Sequence, residues 1–186
     1  MVCLVSRSGR DLQRYDNQGR RQVVGCIPYR FKNNYNSDGD EHEHEHEELE
    51  VLVITSQKGG QGIMFPKGGW ELDESVEEAA SRESLEEAGV LGHVEDELGK
   101  WNFLSKRNGT FYEGYMFPLL VTEQLDLWPE KNVRQRIWMS VEEARDACRH
   151  WWMKEALDIL VHRLTLSMQQ KEEKEEDEDE EYYHSL

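Results

Sequence analysis

One stretch of 23 residues, spanning 68–90, constrains this chain more than any other part of its sequence. It reads GGWELDESVEEAASRESLEEAGV. Within it Glu83, Glu86 and Glu87 stand at positions i, i+3 and i+4, which share one face of a helix. Three carboxylates on one helix face repel each other, so the arrangement is unfavourable unless a cation balances it. Because oxygen ligands at this spacing suit Mg²⁺ or Mn²⁺, the pattern predicts a helix that binds a hard divalent cation.

The same stretch carries signals for both ends of the predicted helix. Ser75 or Asp73 can cap its start, and Gly89 supplies the left-handed residue at which a helix ends. Two glycines at 68–69 allow a backbone bend that brings a carbonyl toward the cation. These signals predict a helix over 75–88 that is entered from a glycine-containing turn.

Arg82 is predicted to organise the carboxylates. It lies four residues before Glu86 and can orient or partly neutralise that side chain. Glu74 lies eight residues before Arg82, near the helix entrance, and can reach back to the guanidinium.

The spacing of the fixed residues resembles the Nudix box, with Ser84 where a bulkier apolar residue is more usual. The resemblance implies a Nudix hydrolase, an enzyme that cleaves a diphosphate linked to a further moiety. It also implies Mg²⁺ as the cofactor, with Mn²⁺ as a substitute. The residues that carry the match are Gly68, Glu74, Arg82, Glu83, Glu86, Glu87 and Gly89.

The formal net charge of −17 is concentrated in three acidic segments. Residues 38–50 contribute −8, residues 170–186 contribute −7, and the stretch 68–90 contributes −7. The remainder of the chain sums to +5, which suits a polyanionic small molecule as substrate. We expect no membrane span and no dedicated nucleic-acid site.

Alternating hydrophobic patterns predict a single α/β domain. With the resemblance, the fold expected is the Nudix fold, an α/β/α sandwich around a mixed β-sheet. Strands are predicted at 23–29, 49–55, 63–66, 94–104, 110–121 and 136–139, and helices at 75–88, from 141 and at 151–168. Domain boundaries are predicted as an N-terminal extension at 1–18, a domain at 19–168 with an acidic loop insertion at 32–48, and an acidic disordered tail at 169–186.

Further segments resemble the diphosphoinositol polyphosphate phosphohydrolases, and specifically their plant relatives. They include RYDNQGRRQVVGC, EVLVITSQK, FPKGGWE, KRNGTFYEGYMFPLLVTE and NVRQRIWMSVEEA. That family removes the β-phosphate of inositol pyrophosphates and also cuts long diadenosine polyphosphates. The resemblance implies the first activity here, with a diadenosine polyphosphate or another nucleoside diphosphate derivative as the alternative substrate. The odd number of widely spaced cysteines favours a cytoplasmic or nuclear location, and the plant relatives imply a mitochondrial one as the alternative.

The resemblance also implies roles for individual residues. Glu83 and Glu87 match metal ligands, Glu86 matches the general base, and the metal-binding carbonyl falls at Lys67, where the animal enzymes have glycine. Two further basic contacts of the family fall near Gln13 and Trp152, with Arg14 and Lys154 close by. The implied substrate contacts are Arg21, Ser56, Gln57, Lys58, Lys67, Lys106, Arg107, Asn108 and Arg134.

The sequence alone leaves alternative interpretations of the histidines, the tryptophans and the catalytic activity. The repeated histidines at 42–46 fit a low-complexity loop better than a transition-metal site, and the tryptophans fit packing better than base stacking. A catalytically silent Nudix domain that only binds a ligand is the rival of a different class. The intact set of carboxylates argues against that rival.

Overall fold

The structure is a computed structural model that describes residues 5–33, 47–57, 62–106 and 109–184. This part of the chain forms one mixed sheet of eight strands with three helices. The strands are β1 (Arg21–Asn33), β2 (Glu47–Thr55), β3 (Ile63–Met64), β4 (Lys67–Gly69), β5 (Val90–Val94), β6 (Gly99–Ser105), β7 (Thr110–Gln124) and β8 (Arg136–Ser140). The helices are α1 (Val76–Ala88), α2 (Val141–Ala147) and α3 (Trp151–His184).

The centre of the sheet is the parallel pair of β1 and β7. The order runs β3-β2-β1-β7-β5, and β4, β6 and β8 pair with β1, β7 and β2 respectively. β1 is apolar on both sides, which is typical of a strand whose two faces are both covered. Val24 and Cys26 point into one core, whereas Ile27 and Tyr29 point into the other.

The two cores lie on opposite faces of the sheet and confirm the predicted α/β/α sandwich. On one face, Ala79 and Ala80 of α1 pack on β1 and β2 through small side chains. On the other face, Trp152 and Leu157 of α3, together with Ala144 of α2, cover the sheet. The acidic helix α1 is therefore held close to the strands that precede it.

The predicted helix ends are confirmed. Ser75 caps α1 by accepting a hydrogen bond from the amide of Glu78, whose carboxylate accepts one from the Ser75 amide in return. Gly89 ends the helix at φ 64°. Ser140 caps α2 through the same reciprocal bonds with Glu143.

The unusual Ser84 is explained by its surroundings. It is fully buried, and its hydroxyl donates to the carbonyl of Ala80 at 2.9 Å. The thiol of Cys26 donates to the same carbonyl at 3.5 Å. Because Cys26 of β1 approaches the helix here, a small residue fits where a bulkier one is more usual.

The single strand predicted at 94–104 is wrong, because the structure has two strands there. β5 pairs with β7 up to Leu119, and β6 pairs with it from Met116. Between these positions lies Pro118, which has no amide hydrogen and cannot complete the ladder. Its carbonyl still accepts a hydrogen bond from Glu95 at 3.0 Å.

The end of the chain also differs from the expectation of a disordered tail at 169–186, because α3 continues to His184. Glu and Lys have high helix propensity, so a helix that is docked at its start can propagate through them. Most of the insertion predicted at 32–48, including the histidines, lies outside the described residues. In the described part of the chain, no helix is long and apolar enough to span a bilayer.

The adjacent tryptophans at the start of α3 provide a test of the packing. Trp152 is 1 % exposed and stacks on Phe103 at 4.5 Å, whereas Trp151 is 53 % exposed. We expect Trp152→Ala to lower the free energy of unfolding by about 3–5 kcal/mol because it leaves a cavity, and Trp151→Ala to change it by less than about 1 kcal/mol. Urea unfolding of both variants measures this, and equal losses would contradict the assignment.

Candidate active site

The three carboxylates predicted to bind the cation lie on a covered face of α1. Glu83, Glu86 and Glu87 are 7 %, 7 % and 6 % exposed. Burial disfavours the charged form of a carboxylate. It raises the pKa of Glu83 to about 8 and the pKa of Glu87 to about 7, and it also raises the pKa of Glu86. The charges of Glu86 and Glu87 raise the pKa of Glu83 further, so the repulsion predicted from the helix spacing is present.

Arg82 binds the helix to the turn that precedes it. Its Nε and Nη2 donate to both oxygens of Glu74, at 2.8 and 2.7 Å, which confirms the predicted contact. Nη2 also donates to the Gly69 carbonyl at 2.8 Å. Nη1 donates to Glu83 at 2.7 Å and to Glu86 at 3.5 Å. Burial would raise the pKa of Glu74, but the bonds and charge of Arg82 outweigh it, and that pKa is lowered.

The two glycines of β4 allow close approach on opposite faces of the strand. A Cβ on Gly68 would lie 2.1 Å from Oε1 of Glu83. A Cβ on Gly69 would lie 1.6 Å from Oε1 of Gln13. A side chain at either position would therefore displace the polar group that occupies that space. The backbone bend expected from the sequence is a weaker reason for these glycines than this contact.

Glu87 is held by β4 and by the loop before β8. The amide of Lys67 donates to its Oε2 at 2.8 Å, and Nη2 of Arg134 donates to its Oε1. Arg134 also donates to the Thr55 carbonyl at 2.9 Å, and its side chain is only 9 % exposed. Arg134, expected as a substrate contact, thus lies inside the carboxylate cluster.

A fourth carboxylate, Glu130, joins this cluster and was missed by the sequence reasoning. It binds Nε of Arg134 at 2.5 Å and accepts from Gln57 at 3.2 Å, and its amide donates to the carbonyl of Glu86 at 3.0 Å. Its charge contributes to the raised pKa of both Glu86 and Glu87. Glu130 lies more than 40 residues from the box in a loop without a pattern, so no sequence signal identifies it.

The donor set has the chemistry of a hard-cation site. Among the described residues, no three carboxylate, imidazole or thiol groups converge at metal-binding distance as the side chains stand. The carboxylate oxygens of α1 accept hydrogen bonds from guanidinium and amide groups instead. Their raised pKa values show that this compensation is incomplete. A divalent cation fits these residues because it supplies oxygen-preferring positive charge where charge balance is lacking.

A group of cationic side chains lies around His150, the residue before α3. Burial is the largest cause of the lowering of the His150 pKa to about 4, and the charges of Lys67 and Lys106 lower it further. The charge of Lys67 also opposes the rise in the pKa of Glu87. Lys67 is therefore close both to His150 and to the carboxylate of Glu87. The sequence reasoning named the two lysines but missed His150, which follows no motif.

Arg21 contacts residues of the N-terminal region and of β7. Its Nε donates to Gln13 at 2.8 Å, and its guanidinium carbon lies 5.6 Å from the centre of the Tyr112 ring. Arg14, which lies close in sequence to a basic contact of the family, stacks on Trp70 at 4.2 Å.

Only half of the remaining predicted substrate contacts lie within the described residues. Ser56 and Gln57 follow β2, and the Ser56 amide donates to the Gly62 carbonyl at 3.4 Å. Lys106 follows β6 and is exposed. Three predicted contacts, Lys58, Arg107 and Asn108, lie outside the described residues. The roles of all these residues stay predictions.

A family profile described as the NUDIX domain matches residues 20–160, and this chain belongs to the Nudix family. The chain is similar to "Nudix hydrolase 17, mitochondrial" of Arabidopsis thaliana. The two are 71% identical over 170 residues, which cover 91% of this chain and 89% of the relative.

The chain is also similar to two proteins at lower sequence identity. "Diphosphoinositol polyphosphate phosphohydrolase 2" of Rattus norvegicus is 32% identical over 132 residues, covering 70% of this chain and 64% of the relative. A crystal structure of a C. elegans Ap4A hydrolase binary complex aligns with a TM-score of 0.56 at 17% identity, covering 77% of this chain and 97% of that one. The chain is a hydrolase of pyrophosphate bonds, in a family that uses divalent metal ions.

The raised carboxylate pKa values predict how stability depends on pH. Between about pH 5 and 8 the folded protein keeps protons on Glu83 and Glu87 that the unfolded chain, with carboxyl pKa values near 4.5, has released. The unfolded state binds fewer protons, so we expect the stability of the metal-free protein to fall as pH rises. The contribution of each such proton is at most about 1.4 kcal/mol per pH unit.

Urea unfolding in a chelator at several pH values tests this dependence. Glu83→Gln should flatten the loss of stability with pH, because it removes one buried charge. Glu77→Gln is the matched control, since Glu77 is exposed on the same helix. Equal pH dependence in the two variants would show that the buried carboxylates do not titrate as described.

Proposed function

We propose that this chain is a Mg²⁺-dependent hydrolase that removes the β-phosphate of inositol pyrophosphates. The observation that supports it is the proximity of buried carboxylates to cationic side chains. The charge of Lys67 acts both on Glu87 and on His150, and that of Lys106 also acts on His150. A substrate with a diphosphate and several further phosphates needs both halves of such a site.

Each residue of the cluster has a distinct proposed role. Glu83, Glu86, Glu87 and the Lys67 carbonyl hold Mg²⁺. When bound, the ion lowers the pKa of a coordinated water and offsets charge on the leaving phosphate. Glu86 accepts the proton of the attacking water. Arg82 keeps the Glu83 and Glu86 carboxylates oriented through its bonds to both.

Arg134 has a different role from the one expected. It is almost fully buried and binds Glu87, Glu130 and the Thr55 carbonyl. These contacts support a function in orienting Glu87 more than a direct contact with substrate. The proposed substrate-binding side chains among the described residues are then Arg21, Ser56, Gln57, Lys67 and Lys106.

Long diadenosine polyphosphates are the second candidate substrates. Phe111 is 57 % exposed on β7 and lines a surface depression together with Arg20. An exposed aromatic ring next to cations can stack on a nucleobase whose phosphates are bound. The inositol substrate is favoured because it carries more negative charge for the same cations.

The name of the Arabidopsis relative at 71% identity includes "mitochondrial", and this supports the mitochondrial alternative for the location of this chain. Arg7, Arg14 and Arg20 all make contacts within the domain. Removal of a leader up to residue 16 would therefore remove contacts of the folded protein. Sequencing the N-terminus of the protein isolated from mitochondria tests the proposed location.

The proposed function is tested by orthophosphate release with Mg²⁺. The substrates are a panel of inositol pyrophosphate isomers and diadenosine hexaphosphate. We expect release from at least one isomer, and we expect Glu86→Gln to lower kcat by at least about 100-fold because the proton acceptor is lost. Glu77→Gln, on the exposed side of α1, should retain wild-type turnover.

Each outcome of the panel has a defined meaning. Turnover of the dinucleotide alone would make the second candidate the function. Absence of any turnover, with tight binding of an inositol pyrophosphate, would favour the silent ligand-binding domain. Near-normal activity of Glu86→Gln would exclude Glu86 as the general base.

The cationic contacts can be tested separately. We expect Lys106→Ala to raise KM for inositol pyrophosphate by about 5- to 10-fold with little change in kcat, because one charge-assisted contact is lost. Lys32→Ala is the control, since Lys32 pairs with Glu50 near the opposite end of β1. An unchanged KM in Lys106→Ala would remove this residue from the substrate site.

A further inference from the structure

The segment before β1 is bound to the turn that precedes α1. We call residues 5–16 the N-terminal strap. The Arg14 amide donates to the Trp70 carbonyl at 2.8 Å, and the Leu72 amide donates to the Leu12 carbonyl at 2.8 Å. This strap precedes the matched NUDIX region, which begins at residue 20. Its backbone nevertheless pairs with the turn between β4 and α1, beside the candidate active site.

Arg7 fixes the start of the strap to the turn. Its Nη1 donates to the carboxylate of Glu71 and to Oδ1 of Asp73 at 2.9 Å. Glu71 is only 5 % exposed, so its charge needs a partner. The guanidinium of Arg7 supplies that partner and binds the second carboxylate at the surface.

The anchored strap reaches the carboxylate cluster through its backbone. The amide of Arg7 donates to Oε1 of Glu86 at 3.2 Å. On the other oxygen of Glu86, Oε2, the donor is Arg82 at 3.5 Å. The neighbouring hydroxyl of Ser6 donates to Glu130 at 3.3 Å. The two oxygens of Glu86 are thus held by different donors, one from the strap and one from α1.

We propose that Arg7 is a positioning residue for Glu86. Its side chain anchors the strap, and the anchored backbone then fixes the orientation of the Glu86 carboxylate. The inference rests on the proposed function, in which Glu86 accepts the proton of the attacking water. Correct orientation of that carboxylate affects the chemical step and has little effect on substrate binding.

The test compares Arg7→Ala, Asp73→Asn, the double variant and Arg7→Lys with Arg145→Ala. Arg145 is the matched control because it forms an exposed ion pair with Asp158 at 2.8 Å on the α2–α3 surface. We expect Arg7→Ala to lower kcat by about 10-fold and to change KM by less than about 2-fold. Arg145→Ala should stay within about 2-fold of wild type in both constants.

The other variants separate positioning from general destabilisation. Arg7→Lys keeps a cation for Glu71 and should recover most of kcat. The double variant should be no slower than Arg7→Ala, because both changes remove one anchor. Hydrogen exchange should become faster across residues 5–16 in Arg7→Ala, with the exchange of α3 unchanged.

The outcome distinguishes this inference from the proposed function. The assay uses whichever substrate of the panel the wild-type protein turns over, so a wrong substrate assignment leaves the test intact. An unchanged or higher kcat in Arg7→Ala would overturn the inference, and a higher one would show that the strap obstructs the carboxylates. A fall in kcat that is equal in Arg145→Ala, or a KM that rises in proportion, would also overturn it.

Discussion

The ion pair between Arg82 and Glu74 is the contact on which the candidate site depends. It joins α1 to the turn before it, and the same guanidinium binds the Gly69 carbonyl of β4. Both side chains are largely buried, so removing either would leave an uncompensated charge in a poorly hydrated place. By fixing α1 against β4, this pair brings Glu83 onto the surface of Gly68, where a Cβ would displace the carboxylate from its present position.

Around this pair the protein holds more negative charge than its arginines balance. The pKa of Glu74 is lowered, whereas those of Glu83, Glu86 and Glu87 are raised, although all four belong to one network. Glu74 forms a two-point contact with Arg82, whereas burial is the largest cause of the rise in pKa at the other three. Burying several carboxylates without enough positive charge to balance them destabilises the fold. The retention of such a set is consistent with a divalent cation as the missing partner, and local frustration of this kind is typical of functional sites.

Local features were predictable from the sequence, and contacts between distant segments were not. The caps Ser75, Gly89 and Ser140 follow rules that involve only a few neighbouring residues, and the contact between Arg82 and Glu74 joins two residues that are only eight positions apart. Glu130, His150 and the amide of Arg7 come from segments far from the box, and nothing in their own neighbourhoods distinguishes them. The division of one predicted strand into β5 and β6 depends on Pro118 of a different strand. The burial of Arg134 depends on partners from two other segments, Glu87 of α1 and the Thr55 carbonyl of β2.

The length of α3 affects how the size of this protein is measured in solution. Its 34 residues span about 50 Å, but the fully buried positions end at Leu160 and the side chains from Thr165 to Lys171 are exposed. A compact chain of 186 residues has a radius of gyration of about 16 Å. The seven residues whose side chains are exposed therefore continue the helix about 10 Å beyond this core. An extended helix makes a chain of 22.0 kDa elute from a sizing column earlier than a compact chain of equal mass, so its mass is better obtained from light scattering.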